Sequence, residues 1–154
     1  MIGTRIALRT PWQDEMKTSV TWLGHSAWQL DTAGLRIQID PFLTGNPAAQ
    51  VSAESLAADY ILVSHGHGDH IGDTVAIAQR TGATVISNYE ITDWLTRQGV
   101  AHVHPMNLGG ARSFPFGNLK LTIAHHTSML PDGANGGNPC GFLLRLVDGR
   151  KIYF

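Results

Sequence analysis

The sequence predicts a mixed α/β fold built in layers, and three observations lead to this prediction. Segments near the amino end alternate apolar and polar residues with the period of two that is typical of half-buried strands. The middle of the chain alternates short apolar runs with segments of helical character, as in βαβ units. A second group of strand-like segments follows up to the last residue. Strands on both sides of a βαβ region favour a domain of stacked sheet and helix layers.

The first predicted elements are strands. Residues 20–23, 27–30 and 35–39 alternate apolar and polar side chains, and the turn at 31–34 joins the last two as a hairpin. Residues 60–63 are continuously apolar, which is typical of a buried strand. Trp22, Trp28 and Trp94 are predicted to lie in the core.

The rest of the chain continues the mixed pattern. Helices are predicted at 52–58, 74–80 and 90–97, and further strands at 84–86, 100–104, 112–116, 119–124, 142–147 and 151–154. Turns are predicted at Gly117-Asn118 and at Asp148-Gly149. Residues 125–139 form a long loop rich in Gly, Asn and Pro, and such loops in compact domains are usually functional.

The bulk composition limits the class of protein. With 154 residues the chain is long enough for one domain with a real core. Its net charge is -1 and no basic run exceeds the pair Arg150-Lys151, so the basic stripe of nucleic-acid-binding proteins is missing. The single cysteine, Cys140, excludes an internal disulfide and is predicted to be a small buried residue. Because no segment resembles a signal peptide or a membrane span, we expect a cytoplasmic protein.

The predicted domain does not include the first residues. Residues 1–15 are aperiodic and interrupted by Pro11, so we predict that they form an extension outside the core and that the domain occupies residues 16–154. The last residues, Ile152-Tyr153-Phe154, are apolar, strand-like and not followed by a polar tail. We therefore expect the domain to be truncated at its carboxyl end.

The strongest chemical signal is the run His65-Gly66-His67-Gly68-Asp69-His70, which directly follows the predicted strand at 60–63. A strand end is rigid, and the glycines let the backbone turn so that several side chains converge. Imidazole and carboxylate are preferred ligands of Zn and similar ions. His65 and His67 can hold one ion, whereas Asp69 and His70 suit a second ion beside it. The competing interpretation, a solvated histidine-rich turn or an expression tag, fits poorly with an internal, glycine-spaced run.

Other histidines and one aspartate are candidates for the same site. His125 and His126 follow a predicted strand and can complete the first metal site. His25 lies in the first hairpin turn and can approach the site, and Asp40 at a strand end can orient a ligand imidazole or simply cap a loop. His102 and His104 share one face of a strand, and we expect both to be structural or surface residues.

These residues resemble a known family. The run at 65–70 is similar to the H-x-H-x-D-H signature of the metallo-β-lactamase superfamily. The segments at 21–26 (Thr-Trp-Leu-Gly-His-Ser), at 39–42 (Ile-Asp-Pro-Phe, with Asn46-Pro47) and at 135–142 resemble its branch of metal-dependent hydrolases, which is related to the L-ascorbate-6-phosphate lactonases. The resemblance covers residues 16–154.

The resemblance implies an αββα sandwich with the metals at one edge, of which this chain is the N-terminal half to two-thirds. It also implies that His65, His67 and a later histidine bind the first metal. A histidine followed by two hydroxyl residues is the family pattern, which favours His126 over His125. Asp69 and His70 are implied as ligands of the second metal, and Asp69 also as a proton shuttle.

The chain departs from the family after residue 154. There the family has a segment with an aspartate that bridges both metals, and a further histidine comes much later. We therefore expect the chain alone to be incomplete for catalysis. We also expect it to self-associate or to pair with a missing half, because a sheet face is left uncovered.

The function predicted from these observations is that of a metal-dependent hydrolase. A hydroxide bridging two divalent ions, most simply Zn but also Mn, Fe or Ni, would attack a small-molecule ester, lactone, amide or phosphoester. The alternative is a non-catalytic metal-binding fragment that assembles with a partner. A nuclease is disfavoured by the missing basic patch, and we expect neither nucleic-acid nor membrane partners.

Overall fold

Ten strands form two sheets over residues 17–154, which are the residues that the computed structural model of the protein describes. The first sheet follows the sequence order and has six strands: β1 (Ser19–Gly24), β2 (Ala27–Thr32), β3 (Leu35–Ile39), β4 (Tyr60–Leu62), β5 (Thr84–Ser87) and β6 (Val103–Pro105). β1, β2 and β3 are antiparallel, and β3 to β6 run parallel. The predicted extension at residues 1–15 lies outside the described residues.

The second sheet is antiparallel, in the order β10-β9-β8-β7. Its strands are β7 (Ala111–Phe114), β8 (Gly117–Ile123), β9 (Cys140–Leu146) and β10 (Lys151–Tyr153). The helices are α1 (Gly68–Ile71), α2 (Thr74–Thr81) and α3 (Tyr89–Arg97), with a 3-10 turn at Ala53–Ser55. None of these helices combines the length and the apolar character needed to cross a membrane.

Two hydrophobic clusters define the layers. One lies between the helices and the first sheet, and it contains Ile61, Val63 and Val85. The other lies between the two sheets, and it contains Leu62 and Ile86 from the same strands. Because neighbouring residues of β4 point into different clusters, both faces of this strand are buried, which explains its continuous apolar run. The order of layers is helix, sheet, sheet, and the mixed α/β prediction is confirmed.

The start of helix α3 is fixed by its capping residue, Asn88. The Asn88 side chain accepts a hydrogen bond from the Ile91 amide at 2.9 Å, which satisfies one of the free donors of the first turn. Asn88 also donates to the carbonyl oxygens of Gly136 and Asn138, at 2.7 and 3.1 Å. One cap residue therefore ties the long loop after β8 to the helical layer.

Three predicted boundaries are wrong. The helix predicted at 52–58 is only a 3-10 turn at Ala53–Ser55, and the strand predicted at 100–104 begins at Val103. The turn predicted at Gly117-Asn118 lies two residues earlier, because Phe114 pairs with Gly117 and leaves Pro115-Phe116 as the connection. The Phe116 side chain is fully buried between the sheets, so this turn is anchored by packing.

The glycine at 117 serves the strand and not the turn. Its φ is +136°, and a Cβ there would overlap the Arg145 carbonyl oxygen and lie 2.8 Å from the Leu146 Cα. Gly149 also has a positive φ, +88°, but a Cβ there would meet no atom within 4 Å.

The Gly117→Ala variant should therefore lose more stability than Gly149→Ala. Gly149→Ala carries backbone strain alone and should cost about 1–2 kcal/mol. Gly117→Ala adds a clash between neighbouring strands and should cost about 3 kcal/mol or more. Chemical denaturation of the two variants beside the wild type measures both values. Equal losses would show that the β8–β9 contact relaxes around an added methyl group.

Candidate metal centre

The chemically active side chains lie at one edge of the first sheet. Asp40 follows β3, His65 comes three residues after β4, and these two strands are parallel. The carboxyl ends of parallel strands therefore bring the two residues together. His25 arrives from the turn between β1 and β2, and His126 from the loop after β8 in the second sheet. The site thus forms where the edges of the two sheets meet.

Three imidazoles form the first cluster, His65, His67 and His126, whose ligand atoms all lie within 4.8 Å of one another. The His65 Nε2 is 3.1 Å from the His67 Nδ1. Two nitrogens bound tetrahedrally to Zn at 2.0–2.1 Å stand about 3.3 Å apart, so this spacing suits one ion. The ring of His126 lies 4.8 Å from that of His65 and 5.1 Å from that of His67, measured between centroids. The donor set fits a divalent metal.

A second cluster, His25, Asp69 and His70, adjoins the first. The Asp69 Oδ2 lies 3.1 Å from the His25 Nε2 and 4.0 Å from the His70 Nε2. The rings of His65 and His70 are 4.0 Å apart, so the two clusters share a boundary. Asp69 lies in the first turn of α1, for which His67 is the N-cap residue.

Asp40 and Ser64 orient the imidazoles on both sides of that boundary. The Ser64 amide donates to the Asp40 Oδ1 at 2.7 Å, and the Ser64 hydroxyl donates to the Asp40 Oδ2 at 2.5 Å. Since this hydroxyl proton is used, the His65 Nδ1, 3.0 Å from the Ser64 oxygen, is the donor in that contact. The His70 Nδ1 donates to the same Asp40 oxygen at 2.8 Å. In their neutral forms both histidines therefore carry the proton on Nδ1 and have a free Nε2 for a metal.

The pKa values of His65, His70 and Asp69 are shifted, each by its own surroundings. Burial lowers the pKa of His65 from 6.5 to about 4, and the three neighbouring histidines lower it further in the same direction, so the ring is neutral at pH 7. Burial opposes protonation of His70, but the hydrogen bond and charge of Asp40 raise its pKa above 6.5. Burial would raise the pKa of Asp69, yet a backbone hydrogen bond and the adjacent histidines lower it, so this carboxylate is ionised.

The backbone of the histidine run is held by the loop after β8. The Gly66 amide donates to the Ser128 hydroxyl at 3.0 Å. A Cβ at Gly66 would lie 3.2 Å from the Leu130 side chain and from the Met129 carbonyl oxygen, which explains the glycine between the two histidines. The segment that contains His126 is therefore fastened to the segment that contains His65 and His67.

A cavity of about 400 Å³ opens onto both clusters. Its polar lining includes Asp40, His65, His70 and His126, and most of its other lining residues are apolar. Cys140 belongs to the apolar lining and is buried, as predicted; its thiol contacts the Ser64 carbonyl oxygen at 3.3 Å. Burial raises the pKa of this thiol to about 12, so Cys140 is not a nucleophile or a thiolate ligand at neutral pH.

The structure brings all the predicted site residues together, and it also shows two that the sequence analysis missed. His65, His67, His70, Asp69, His126, Asp40 and His25 occupy the two clusters and their boundary. Among residues 17–154, the clusters include neither His125 nor His102 nor His104. The missed contacts are those of Ser64, whose only signal is that it directly precedes His65, and of Ser128, which belongs to the His126-Thr127-Ser128 pattern but was given no role of its own.

The prediction for Trp22 is wrong. Trp22 is 52% exposed, because β1 is the edge strand of its sheet and none of residues 17–154 covers its outer face. The indole instead donates to the His25 carbonyl oxygen at 2.8 Å. His25 and Asp40 have left-handed backbones, with φ of +50° and +44°. Such a conformation costs about 1–2 kcal/mol in a residue with a side chain, and strain of this kind gathers at functional sites.

Comparison with known proteins settles the family. The family model described as "Beta-lactamase superfamily domain" matches residues 19–154. The chain belongs to this superfamily. The predicted relation to the L-ascorbate-6-phosphate lactonases stays a prediction.

Relatives of this superfamily chain are named metal-dependent hydrolases. The UPF0173 metal-dependent hydrolase of Carboxydothermus hydrogenoformans is 53% identical over 136 residues, which cover 87% of this chain and 59% of the relative. The protein of the same name from Heliobacterium modesticaldum is 49% identical over 137 residues, covering 87% and 57%. The chain thus spans less than two thirds of the length of these relatives.

Solved structures share the superfamily fold. Igni18, a metallo hydrolase from Ignicoccus hospitalis, superposes with a TM-score of 0.76 at 34% identity, over 88% of this chain and 59% of Igni18. CmlA, a diiron β-hydroxylase from Streptomyces venezuelae, superposes with a TM-score of 0.69 at 18% identity, over 90% and 29%. The second likeness concerns the fold alone.

In this superfamily chain, His126→Ala should weaken zinc binding by about tenfold or more, because it removes one of three convergent imidazoles. His125→Ala is the matched control, since His125 is adjacent, exposed and outside both clusters. Competition with a chromophoric chelator measures both affinities. A larger loss in His125→Ala would reverse the assignment.

Asp40→Asn should lower zinc affinity by about 10- to 100-fold, because the variant removes the charge that holds the protons on the Nδ1 atoms of two histidines. Asn tolerates the left-handed backbone of this position, so the fold should be kept. The control is Asp93→Asn, which removes an exposed carboxylate that pairs with Arg97 on α3. If the two variants bind zinc equally well, Asp40 does not orient the ligands.

Proposed function

We propose that the protein is a metal-dependent hydrolase that cleaves a small-molecule ester, lactone, amide or phosphoester. The observation that carries this proposal is the convergence of three imidazoles, His65, His67 and His126, two of which, His65 and His126, line a cavity. His126 is far from the other two in sequence and comes from the other sheet. The names of the relatives and of Igni18 support the same activity.

The first cluster would hold one divalent ion. A set of neutral imidazoles suits zinc, and it also accepts Mn, Fe or Ni. We further propose that Asp69 and His70 bind a second ion beside the first. A bound divalent metal supplies a Lewis acid and lowers the pKa of water, so that attack on a carbonyl or phosphoryl centre becomes feasible at neutral pH.

The residues of the chain have separate tasks in this scheme. Asp40 and Ser64 keep His65 and His70 in the tautomers that face the metal. Asp69 is ionised and its side chain is half-exposed, so it can accept a proton from attacking water and release it to solvent. The apolar wall of the cavity, which includes Trp28 and Phe154, would pack against the apolar part of a substrate.

A non-catalytic metal-binding role is the second candidate. It needs only the ligand sets of the two clusters, which can hold an ion whether or not turnover follows. The net charge of -1 disfavours a nuclease. Pairing of the chain with a further segment stays a prediction.

The test is the double variant His65→Ala/His67→Ala. We expect the wild type to retain divalent metal close to stoichiometrically and to hydrolyse one class in a panel of lactones, esters, amides and phosphoesters with added Zn or Mn. The double variant should lose the metal of the first cluster and the turnover, because it keeps only one imidazole of that cluster.

His102→Ala is the control for this experiment, because His102 is exposed and lies outside the clusters. Unchanged metal content in the double variant would contradict the proposed site. Metal binding without turnover on any substrate class would favour the non-catalytic candidate.

A further inference from the structure

We propose that His25 is a ligand of the second metal, so that His25, Asp69 and His70 form a three-ligand site built entirely from residues 17–154. This inference rests on the proposed function and extends it. From the sequence, only Asp69 and His70 are predicted to bind the second ion, and His25 is predicted at most to approach the site.

The geometry of the second cluster suits an ion. The Asp69 Oδ2 stands 3.1 Å from the His25 Nε2 and 4.0 Å from the His70 Nε2, and the three ligand atoms lie within 4.8 Å of one another. Ligand atoms about 2.0–2.2 Å from one ion stand roughly 3–4 Å apart. The rings of His25 and His70 are tilted by 69° with centroids 5.3 Å apart, so their Nε2 atoms approach from different directions.

The unprotonated atom of His70 faces this point. Its Nδ1 donates to Asp40, which leaves Nε2, 4.0 Å from the Asp69 Oδ2, as the nitrogen available to a metal. Two nitrogens and one carboxylate oxygen from the protein, with a remaining position open, are the ligand set of many catalytic zinc sites. With His25 the second cluster therefore offers three protein ligands to a metal, whereas Asp69 and His70 alone offer two.

The turn that carries His25 is held in place on several sides. The Trp22 indole donates to the His25 carbonyl oxygen at 2.8 Å. The rings of His25 and Phe42 are nearly perpendicular, with centroids 6.1 Å apart. A Cβ at Gly24, whose φ is +109°, would lie 2.9 Å from the Ala48 carbonyl carbon and 2.9 Å from the side-chain nitrogen of Asn46. The turn is thus packed against the loop after β3, and that loop begins with Asp40.

A plain ion pair between His25 and Asp69 is the competing explanation. Their side chains are 44% and 50% exposed, and exposed ion pairs contribute little to stability. Three residues other than glycine have a positive φ within residues 17–154: His25, Ala33 and Asp40. His25 and Ala33 each lie in a two-residue hairpin turn, between β1 and β2 and between β2 and β3, where such a φ is common, so the backbone of His25 does not separate the two explanations. The ion pair does not account for the third member of the cluster, because the ligand atom of His70 also lies within 4.8 Å of those of His25 and Asp69.

The test measures zinc binding to the wild type, His25→Ala, His25→Asn and His102→Ala by competition titration. Asn adopts a left-handed backbone readily, so His25→Asn keeps the turn while it removes the imidazole. We expect two binding events in the wild type and in His102→Ala. Both His25 variants should keep the tight first event and weaken the second by at least about 10- to 100-fold.

A second measurement distinguishes a His25 that binds the metal itself from a His25 that only orients Asp69. In wild-type protein loaded with NMR-active cadmium and containing nitrogen-labelled histidine, His25 should show a one-bond metal–nitrogen coupling. This measurement needs no variant and no turnover.

The outcomes are distinct. Two zinc-binding events with unchanged affinities in all four proteins would overturn the assignment of His25. A spectrum in which His25 shows no metal–nitrogen coupling would overturn it as well. A single event that His65→Ala/His67→Ala abolishes would overturn the second site while the proposed function stands. No metal binding by the wild type would overturn both.

Discussion

The candidate metal centre depends on one buried carboxylate, that of Asp40. It lies 4% exposed at the end of β3, where an unsatisfied charge would be costly, and it accepts hydrogen bonds from the Ser64 amide, the Ser64 hydroxyl and the His70 ring. Through Ser64 it also determines which nitrogen of His65 is protonated. One side chain therefore orients ligands in both clusters. This is possible because β3 and β4 pair in parallel, which places the ends of the two strands side by side.

The layered fold supplies the rest of the site. The first sheet contributes the histidine run and the second sheet contributes His126, so the first cluster exists only when the two sheets are packed together. The apolar residues between the sheets include Leu62, Phe116 and Phe142, which are fully buried. Stability of this inter-sheet core and formation of the metal centre are thus linked, and a metal that binds only the folded chain would stabilise the packing of the sheets in return.

Much of the site could be predicted from the sequence, because the ligands of the histidine run are close in the chain and follow an unmistakable buried strand. Asp40 and His126 could be predicted less directly, from strand ends and from the resemblance. The role of Ser64 could not, since it depends on where two strand ends meet in space. Trp22 was predicted in the core because alternation along a strand does not reveal that the strand is an uncovered edge. The turn near Gly117 was misplaced because glycine also serves where two strands approach closely.

The most direct test of the metal centre is anomalous diffraction from crystals of the zinc-loaded protein. We expect a strong peak about 2.0–2.1 Å from the His65 Nε2, the His67 Nδ1 and one nitrogen of His126, with the Nδ1 atoms of His65 and His70 still directed at Ser64 and Asp40. A peak bound elsewhere on residues 17–154, with the three imidazoles of the first cluster free, would contradict this account.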